Sequence, residues 1–266
     1  GCGYNLVNLG FGCRFDCEYC FLQQYQNLHA VLLPANVQDF LDKIDGAAFR
    51  RGPFDRPRIG SGEFTDSLAF DELTQYSRAL VPFFRARPQL QFEFKTKSIC
   101  IEGLLAEEGA ENVVVSWSVN APQFIERVEH FTPPLAQRLA AAAQVAQAGY
   151  RLGFHFDPVV PFDGWKAAYT QAAEQMAQSV PANQVAWISV GLLRFSRELK
   201  KAVENRFPDN FILDGEFLLD FDGKMRYPEE LRQEVYSHMV PLLRRLFPRA
   251  VVYVCMEKPH LCPCAL

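Results

Sequence analysis

Three cysteines close to the beginning of the chain have a spacing that suits an iron–sulfur cluster. Cys13, Cys17 and Cys20 lie in the run GCRFDCEYCFLQ, with the spacing C-x3-C-x2-C. Thiolates are the usual protein ligands of [4Fe–4S] clusters, and a cluster that only carries electrons normally has four of them. A loop that supplies three leaves the fourth iron open to a small molecule. A structural zinc site or unrelated thiols are the alternatives, but zinc sites usually have paired C-x2-C motifs and no second pair follows.

The pattern of elements along the chain predicts where this loop lies. Strand patterns alternate with helical ones, which is typical of a parallel sheet. The predicted strands cover residues 4–11, 58–62, 90–96, 113–119, 151–159, 185–190 and 251–255. The predicted helices cover residues 37–44, 72–84, 99–108, 135–148, 165–178, 197–205 and 228–247. Because chemistry in α/β barrels is found at the C-terminal ends of the strands, the cysteine loop after the first strand lies at the expected edge.

The composition predicts one globular domain. The chain has 266 residues, of which 49% are hydrophobic and 22% are charged. We expect a barrel core over about residues 4–192 and a C-terminal extension over about residues 193–266. The net charge of −4 gives no general attraction to a polyanion. No apolar stretch reaches the roughly 18 residues that a membrane span requires, no signal peptide is visible, and the cysteine usage favours a reducing cytoplasm.

A glycine-rich turn, GSGEFTD, follows the predicted second strand at the same edge as the cysteines. Gly62 has no side chain, so the backbone there could approach a ligand closely. Glu63 could accept a hydrogen bond from an N–H group. An ordinary strand-to-helix turn with Thr65 or Asp66 as the N-cap explains the same residues.

The cysteine loop and the order of the elements resemble the radical S-adenosylmethionine (SAM) superfamily, and further runs resemble the spore photoproduct lyase family. These runs are EFTDSLAFDELT, FEFKTK, SWSVNA and PPLAQRLAAAAQVAQAGYRLGFHFDPVV, and the agreement covers roughly residues 4–255. The resemblance implies a partial (β/α)6 barrel of the radical SAM kind with a C-terminal extension. It also implies a [4Fe–4S] cluster that cleaves SAM, giving a 5′-deoxyadenosyl radical that abstracts hydrogen from a substrate carbon.

The resemblance implies roles for residues that match the family by position. They are the cluster ligands Cys13, Cys17 and Cys20, and the SAM-binding residues Gly62, Glu63, Lys97 and Ser118. Tyr19 matches a family tyrosine near SAM and is the candidate catalytic residue. Each has an ordinary alternative: Lys97 could be a solvated charge, Ser118 could bond to local backbone, and Tyr19 could serve packing alone.

Three departures from the family pattern bear on the substrate. Glu63 stands where the resemblance places the family's hydrogen-donating cysteine, and Phe21 stands where the family has a second tyrosine. The segment DGEFLLDFDGKMRY replaces a basic hairpin that wedges into DNA, and acidic side chains there would repel phosphate. In the lyase the substrate is a thymine dimer in spore DNA, so duplex DNA is possible here but disfavoured.

Two further groups of residues remain open. His155 and Asp157 lie on the predicted fifth strand, where we expect them to point in opposite directions. Asp157 could line the SAM or substrate pocket, or it could form a salt bridge with a neighbouring barrel residue. Near the C-terminus, thiols and a histidine could hold a metal, replace the hydrogen donor or be loose: Cys255, His260, Cys262 and Cys264.

The leading hypothesis is a radical SAM enzyme that resembles spore photoproduct lyase, lacks its donor cysteine and acts on an unknown substrate. A reductant such as flavodoxin or ferredoxin is the expected protein partner. The alternatives are a DNA photoproduct lyase with a rewired hydrogen donor and a non-catalytic iron–sulfur sensor.

Overall fold

The structure is a computed structural model that describes residues 3–25, 30–51, 56–220 and 222–261. Its strands are β1 (Tyr4–Leu6), β2 (Asp16–Cys17), β3 (Arg58–Gly60), β4 (Gln91–Thr96), β5 (Val113–Ser118), β6 (Glu129–His130), β7 (Arg151–Val159), β8 (Val185–Leu192), β9 (Arg194–Phe195), β10 (Leu218–Leu219), β11 (Met225–Arg226) and β12 (Val251–Val254). Its α-helices are α1 (Leu22–Tyr25), α2 (Val37–Asp45), α3 (Asp71–Thr74), α4 (Tyr76–Arg85), α5 (Glu102–Leu105), α6 (Pro122–Val128), α7 (Leu135–Gln147), α8 (Trp165–Ser179), α9 (Arg197–Arg206) and α10 (Glu229–Leu246). Short 3-10 helices cover Ala182–Gln184 and Pro259–Leu261.

Seven parallel strands form the main sheet, in the order β1-β3-β4-β5-β7-β8-β12. The seven predicted strands are therefore confirmed, and they are neighbours in the order of the sequence. β1 is shorter than predicted because the chain leaves the sheet after Leu6, and Phe11 forms an isolated bridge with Leu32. β12 pairs with β8, so the segment beyond residue 192 returns to complete the sheet.

Contacts across the sheet show that it is curled. Arg58 on β3, the second strand in the sheet, donates to the hydroxyl of Tyr253 on β12, the seventh, over 3.3 Å. Five strand spacings in a flat sheet would separate these strands by about 24 Å. The sheet therefore bends into the predicted partial barrel, and one of its faces becomes an interior.

The two faces of the sheet differ in polarity because side chains alternate along each strand. On β4, Phe92 and Phe94 are buried on the outer face, whereas Glu93 and Lys95 belong to the inner face. The outer face joins the main hydrophobic core, which α4, α7 and α10 cover. α7 ends before Gly149, whose φ of +91° is a conformation that favours glycine. The apolar core thus lies outside the barrel and leaves the interior polar.

The helices depart from the predicted bounds in three places. The predicted helix over 72–84 is two helices, because Gln75 has a φ of +51° and Asp71 accepts a hydrogen bond from the N–H of Ser77 over 2.9 Å. The predicted helix over 99–108 is only the single turn α5. α6 and the short strand β6 were not predicted. None of the helices in the described ranges combines the length and the apolar character needed to cross a bilayer.

Candidate functional site

The cysteine loop is fixed at the C-terminal edge of the barrel by pairing on both sides. β2 pairs antiparallel with β6, so that Cys17 lies opposite Glu129. Before the first cysteine, Gly12 has a φ of +91°, and its N–H donates to the carbonyl of Phe64 over 2.8 Å. The loop is therefore held between the turn after β3 and the strand β6.

The three thiols of this loop lie in a buried environment. Burial raises the pKa of Cys13 to about 12, and it also raises the pKa values of Cys17 and Cys20. Lys97 opposes these increases at all three cysteines, and the thiols act electrostatically on one another. Cys17 is buried, and Cys13 and Cys20 are half-buried. Three such thiols, whose raised pKa values mean that they need positive charge to ionise, suit iron, which supplies that charge when it binds thiolate. In the described ranges no group of three His, Cys, Asp or Glu side chains is arranged to hold a single metal ion.

Behind the loop lies a buried ion pair that the sequence analysis missed. Tyr19 donates its hydroxyl to Oε1 of Glu129 over 2.6 Å, and Nη2 of Arg138 donates to Oε2 over 2.6 Å. Arg138 is fully buried and Glu129 is 3% exposed. Burial alone would raise the pKa of Glu129, but Arg138, Lys97 and the bond from Tyr19 lower it on balance. The carboxylate therefore stays ionised and orients the Tyr19 hydroxyl.

The same ion pair brings two of the predicted SAM-binding residues together. Arg138 also donates through Nη1 to the carbonyl of Ser118, at the end of β5, over 2.9 Å. The Nζ atom of Lys97 lies 5.5 Å from the centroid of the Tyr19 ring. Lys97, Ser118, Tyr19 and the cysteine loop thus surround the Glu129–Arg138 pair at one edge of the barrel.

The turn that contains Gly62 and Glu63 faces the cysteine loop from the other side. Gly62 has a φ of +122°, and a Cβ atom there would lie 3.1 Å from Oδ1 of Asn8, so the backbone itself explains the glycine. Glu63 is exposed. Asp66 accepts hydrogen bonds from the N–H groups of Leu68 and Ala69 over 3.0 and 2.9 Å, within the turn. Neither Thr65 nor Asp66 is the N-cap of the next helix, because α3 begins at Asp71 after Phe70. Asp66 stabilises the turn itself, and the Glu63 carboxylate is left exposed.

Asp66 also fixes the end of β4. It accepts from the Thr96 hydroxyl over 2.6 Å and from the backbone N–H of Lys97 over 2.6 Å. Because Asp66 in turn raises the pKa of Cys13, its carboxylate lies within electrostatic reach of the cysteine loop. This side chain therefore ties together the second turn, the strand that carries Lys97 and the first cysteine.

Asp157 has a partner that occupies both of its oxygens. Arg194 donates to Oδ1 over 2.9 Å and to Oδ2 over 3.2 Å, which is the salt bridge that the sequence analysis left open. Burial opposes the ionisation of Asp157, but Arg194, together with Lys95 and His155, outweighs it and lowers the pKa to about 2. The expectation that His155 and Asp157 point in opposite directions is wrong. Residues two apart on a strand share a face, and both side chains point into the barrel.

A polar network at the centre of the barrel was also missed. Glu93 accepts hydrogen bonds from Arg58 over 3.1 Å and from Trp187 over 3.0 Å, and it bonds Nε2 of His155 over 2.9 Å. Burial would raise the pKa of Glu93, but His155 and Arg58 lower it on balance. Because these three partners come from β3, β7 and β8, Glu93 on β4 holds the curled sheet together from inside.

The structure describes only some of the C-terminal residues that the sequence analysis singled out. Cys262 and Cys264 lie outside the described residues. Cys255 follows β12, and its N–H donates to the carbonyl of Val190 over 2.9 Å. His260 is bonded to Oε1 of Glu229 over 2.7 Å. Where the structure describes this segment, it thus shows a histidine engaged by a carboxylate.

The curled parallel sheet, with a three-cysteine loop at the C-terminal edge of its first strand, defines a barrel of the radical SAM class. The sequence profile described as "Spore photoproduct lyase" matches residues 3–254. The chain therefore belongs to the spore photoproduct lyase family, whose enzymes use a [4Fe–4S] cluster and SAM.

Individual relatives agree with this assignment. The chain is 28% identical over 200 residues to spore photoproduct lyase of Bacillus subtilis (strain 168), which covers 74% of this chain and 58% of that protein. It is 26% identical over 264 residues to spore photoproduct lyase of Geobacillus sp. (strain Y412MC61), which covers 92% of this chain and 74% of that protein. The structure of a spore photoproduct lyase double mutant with bound AdoMet and dinucleoside spore photoproduct superposes with a TM-score of 0.83 at 25% identity, covering 93% of this chain and 75% of that chain.

Proposed function

We propose that this chain is a radical SAM enzyme, similar to spore photoproduct lyase, that acts on a substrate other than duplex DNA. The observation that carries the proposal is the loop of Cys13, Cys17 and Cys20 beside Lys97 and Tyr19, at the C-terminal edge of a curled parallel sheet. When bound and reduced, the cluster supplies the electron that cleaves SAM into methionine and a 5′-deoxyadenosyl radical.

In this proposal the residues of the chain bind and orient the cofactors. The thiolates of the three cysteines are the cluster ligands. Lys97 meets the carboxylate of SAM as a compact positive charge, while Ser118 and the backbone at Gly62 line the same site. Glu63 is exposed and can accept a hydrogen bond from the amino group of SAM. Asp157 does not belong to the SAM site in this proposal, because Arg194 already binds both of its oxygens.

The way in which hydrogen returns to the substrate differs from the family pattern in this proposal. Glu63 is a poor hydrogen-atom donor to a carbon radical, and Phe21 has no hydroxyl. The Phe21 ring packs edge-on against Phe64, with 5.8 Å between the ring centroids, and against Tyr25, with 5.7 Å. The Phe21 side chain therefore packs against Phe64, the residue that follows Glu63.

The hairpin of β10 and β11 argues against duplex DNA as the substrate. The reason is that its acidic side chains pair with the nearby cations, in addition to being acidic themselves. Asp220 lies 3.2 Å from Nζ of Lys258 and 3.6 Å from Nη2 of Arg232, and Asp222 binds Arg226 over 2.8 Å. These acidic groups thus neutralise the nearby cations within the fold, and both arginines are buried. With Arg226 on the hairpin and Arg232 on the neighbouring α10 both engaged in this way, this part of the surface offers little positive charge to phosphates.

A DNA photoproduct lyase with a rewired donor is the second candidate. It is favoured by the similarity to a lyase structure with bound dinucleoside spore photoproduct. Incubation of the reduced enzyme with that dinucleoside and SAM separates the two candidates. We expect SAM to be cleaved and the photoproduct to remain; release of two thymidines would support the second candidate instead.

A non-catalytic iron–sulfur sensor is the third candidate, and electron paramagnetic resonance distinguishes it. In the reduced, reconstituted protein we expect added SAM to change the spectrum of the cluster, because SAM binds the open iron. A spectrum that SAM leaves unchanged would favour the sensor. We expect flavodoxin or ferredoxin to replace dithionite as the reductant in this experiment.

A further inference from the structure

Most charged side chains inside the barrel are paired, and Lys97 at its edge lies over the Tyr19 ring. Arg58 pairs with Glu93 over 3.1 Å, and Arg194 pairs with Asp157 over 2.9 Å. Lys95 lies on β4 two residues after Glu93, and its ammonium group has no hydrogen bond or ion pair with any residue in the described ranges. A half-buried cation without a protein partner is available to a ligand that supplies the opposite charge.

The direction of the Lys95 side chain follows from its neighbours. Glu93 is two residues earlier on β4, which ends at Thr96, so Glu93 and Lys95 share the inner face of the strand. Lys95 lowers the pKa values of both His155 and Asp157, which places its charge within electrostatic reach of the two side chains that β7 points into the barrel.

None of the surrounding groups neutralises this charge. The carboxylates of Glu93 and Asp157 are already paired with arginines. Both ring nitrogens of His155 are already engaged, by Ser189 over 2.6 Å and by Glu93 over 2.9 Å, and burial and Lys95 lower the pKa of the ring. None of these described groups therefore compensates the positive charge of Lys95.

The position of Lys95 relative to Lys97 separates two ligand sites. Lys97 follows the end of β4 at the edge with the cysteine loop, and Lys95 lies two residues earlier, on the strand itself, about 7 Å deeper in the barrel. We propose that Lys95 binds a carboxylate or phosphate group of the substrate inside the barrel, next to the SAM site. The inference rests on the proposed function, because it assigns the carboxylate of SAM to Lys97.

A lysine selects for charge more than for shape, because its ammonium is a compact charge with three rotatable donors. The substrate is therefore an anionic molecule, and its negative group enters the barrel. The other source of the same chemistry is the carboxylate of SAM itself, and the experiment must tell the two sources apart.

Equilibrium dialysis of the reconstituted, oxidised enzyme tests this without turnover. With saturating SAM present, we measure the binding of radiolabelled inorganic phosphate and of radiolabelled succinate. We expect one saturable site in the wild type. Because a hydrogen bond to a charged group is lost, affinity should fall by about tenfold to a hundredfold in Lys95→Met and in Lys95→Gln, and it should be retained in Lys95→Arg. Lys43→Met, which changes an exposed lysine on α2, is the matched control.

The same variants are tested for SAM affinity. We expect Lys95→Met to bind SAM like the wild type, and Lys97→Met to bind it more weakly. If Lys95→Met loses SAM affinity as Lys97→Met does, the ligand is the carboxylate of SAM and the proposal is wrong. It is also wrong if the wild type has no saturable anion site, or if Lys95→Met and Lys95→Gln retain it.

Failure of the proposed function gives a different result. A wild-type protein that holds its cluster but does not bind SAM at all would overturn the radical SAM assignment. Normal SAM binding without anion binding would overturn only the role of Lys95. Melting curves of the variants show whether a loss of binding reflects unfolding, and Lys95→Arg retains the charge if the neutral variants are unstable.

Discussion

The hydroxyl of Tyr19 donates a hydrogen bond to Oε1 of Glu129 over 2.6 Å, and this bond joins the cysteine loop to the interior of the protein. The other carboxylate oxygen accepts from Arg138, which also holds the carbonyl of Ser118. Because Tyr19 lies between the second and third cysteines, the Glu129–Arg138 pair positions the loop and the end of β5 together.

Removing the charge of Glu129 should destabilise the protein. Glu129→Gln leaves the buried guanidinium of Arg138 without its counter-charge, and breaking a buried ion pair costs about 3–5 kcal/mol of unfolding free energy. Denaturant unfolding measures the change. Glu126→Gln, at an exposed neighbouring position on α6, should be close to the wild type. Equal stability of the two variants would show that the pair does not support the fold.

Tyr19→Phe separates the hydroxyl from the ring. The ring still packs near Phe124, where the centroids are 6.0 Å apart, but the bond to a charged carboxylate is lost. We expect a loss of about 1.5–3 kcal/mol in unfolding free energy, and slower SAM cleavage if the hydroxyl takes part in the chemistry. The cluster absorbance normalises the rates. An unchanged rate per cluster would assign Tyr19 to packing alone.

The ion pair of Asp157 and Arg194 should make the free energy of unfolding depend on pH under acidic conditions. The pKa of Asp157 is lowered to about 2, so its contribution is complete above its ordinary pKa near 4 and is lost as the pH falls towards 2. Asp157→Asn should lower the unfolding free energy at pH 7 by about 3 kcal/mol. Between pH 5 and pH 2 it should then lose about 2 kcal/mol less than the wild type.

Chemical denaturation at several pH values measures both effects, and Asp163→Asn, at an exposed loop position, is the control. Parallel pH profiles for the wild type and Asp157→Asn would contradict the ionised pair.

We expect opposite effects on SAM binding from substitutions at Glu63 and at the C-terminal thiols. Glu63→Ala should weaken SAM binding by about 1.5–3 kcal/mol if its carboxylate meets the amino group. The double variant Cys262→Ala, Cys264→Ala should bind SAM like the wild type. Loss of binding in the double variant, with normal binding in Glu63→Ala, would reverse both assignments.

The order of the strands and the position of the cysteine loop could be predicted because they depend on local patterns. Alternation along each strand and the spacing of three cysteines are visible within a few residues. The Glu129–Arg138 pair could not be predicted, because Arg138 lies in the alanine-rich α7 and has the sequence appearance of an ordinary helix former.

The polar network around Glu93 at the centre of the barrel could not be predicted either. Alternation in the segment QFEFKT places Glu93 on one face of β4, but its partners Arg58, His155 and Trp187 are 35, 62 and 94 residues away. Only the curl of the sheet brings them together. The partner of Asp157 could not be predicted for a similar reason, since the salt bridge with Arg194 depends on how the chain turns after β8.

The central claim is tested most directly by the formation of 5′-deoxyadenosine. The protein is reconstituted with iron and sulfide without oxygen, reduced with dithionite and supplied with SAM. We predict that the wild type and Cys100→Ala form 5′-deoxyadenosine, and that Cys17→Ala loses both the broad visible absorption of the cluster and the product. Absence of 5′-deoxyadenosine from a wild-type protein that retains its cluster, or normal formation of it by Cys17→Ala, would contradict the account.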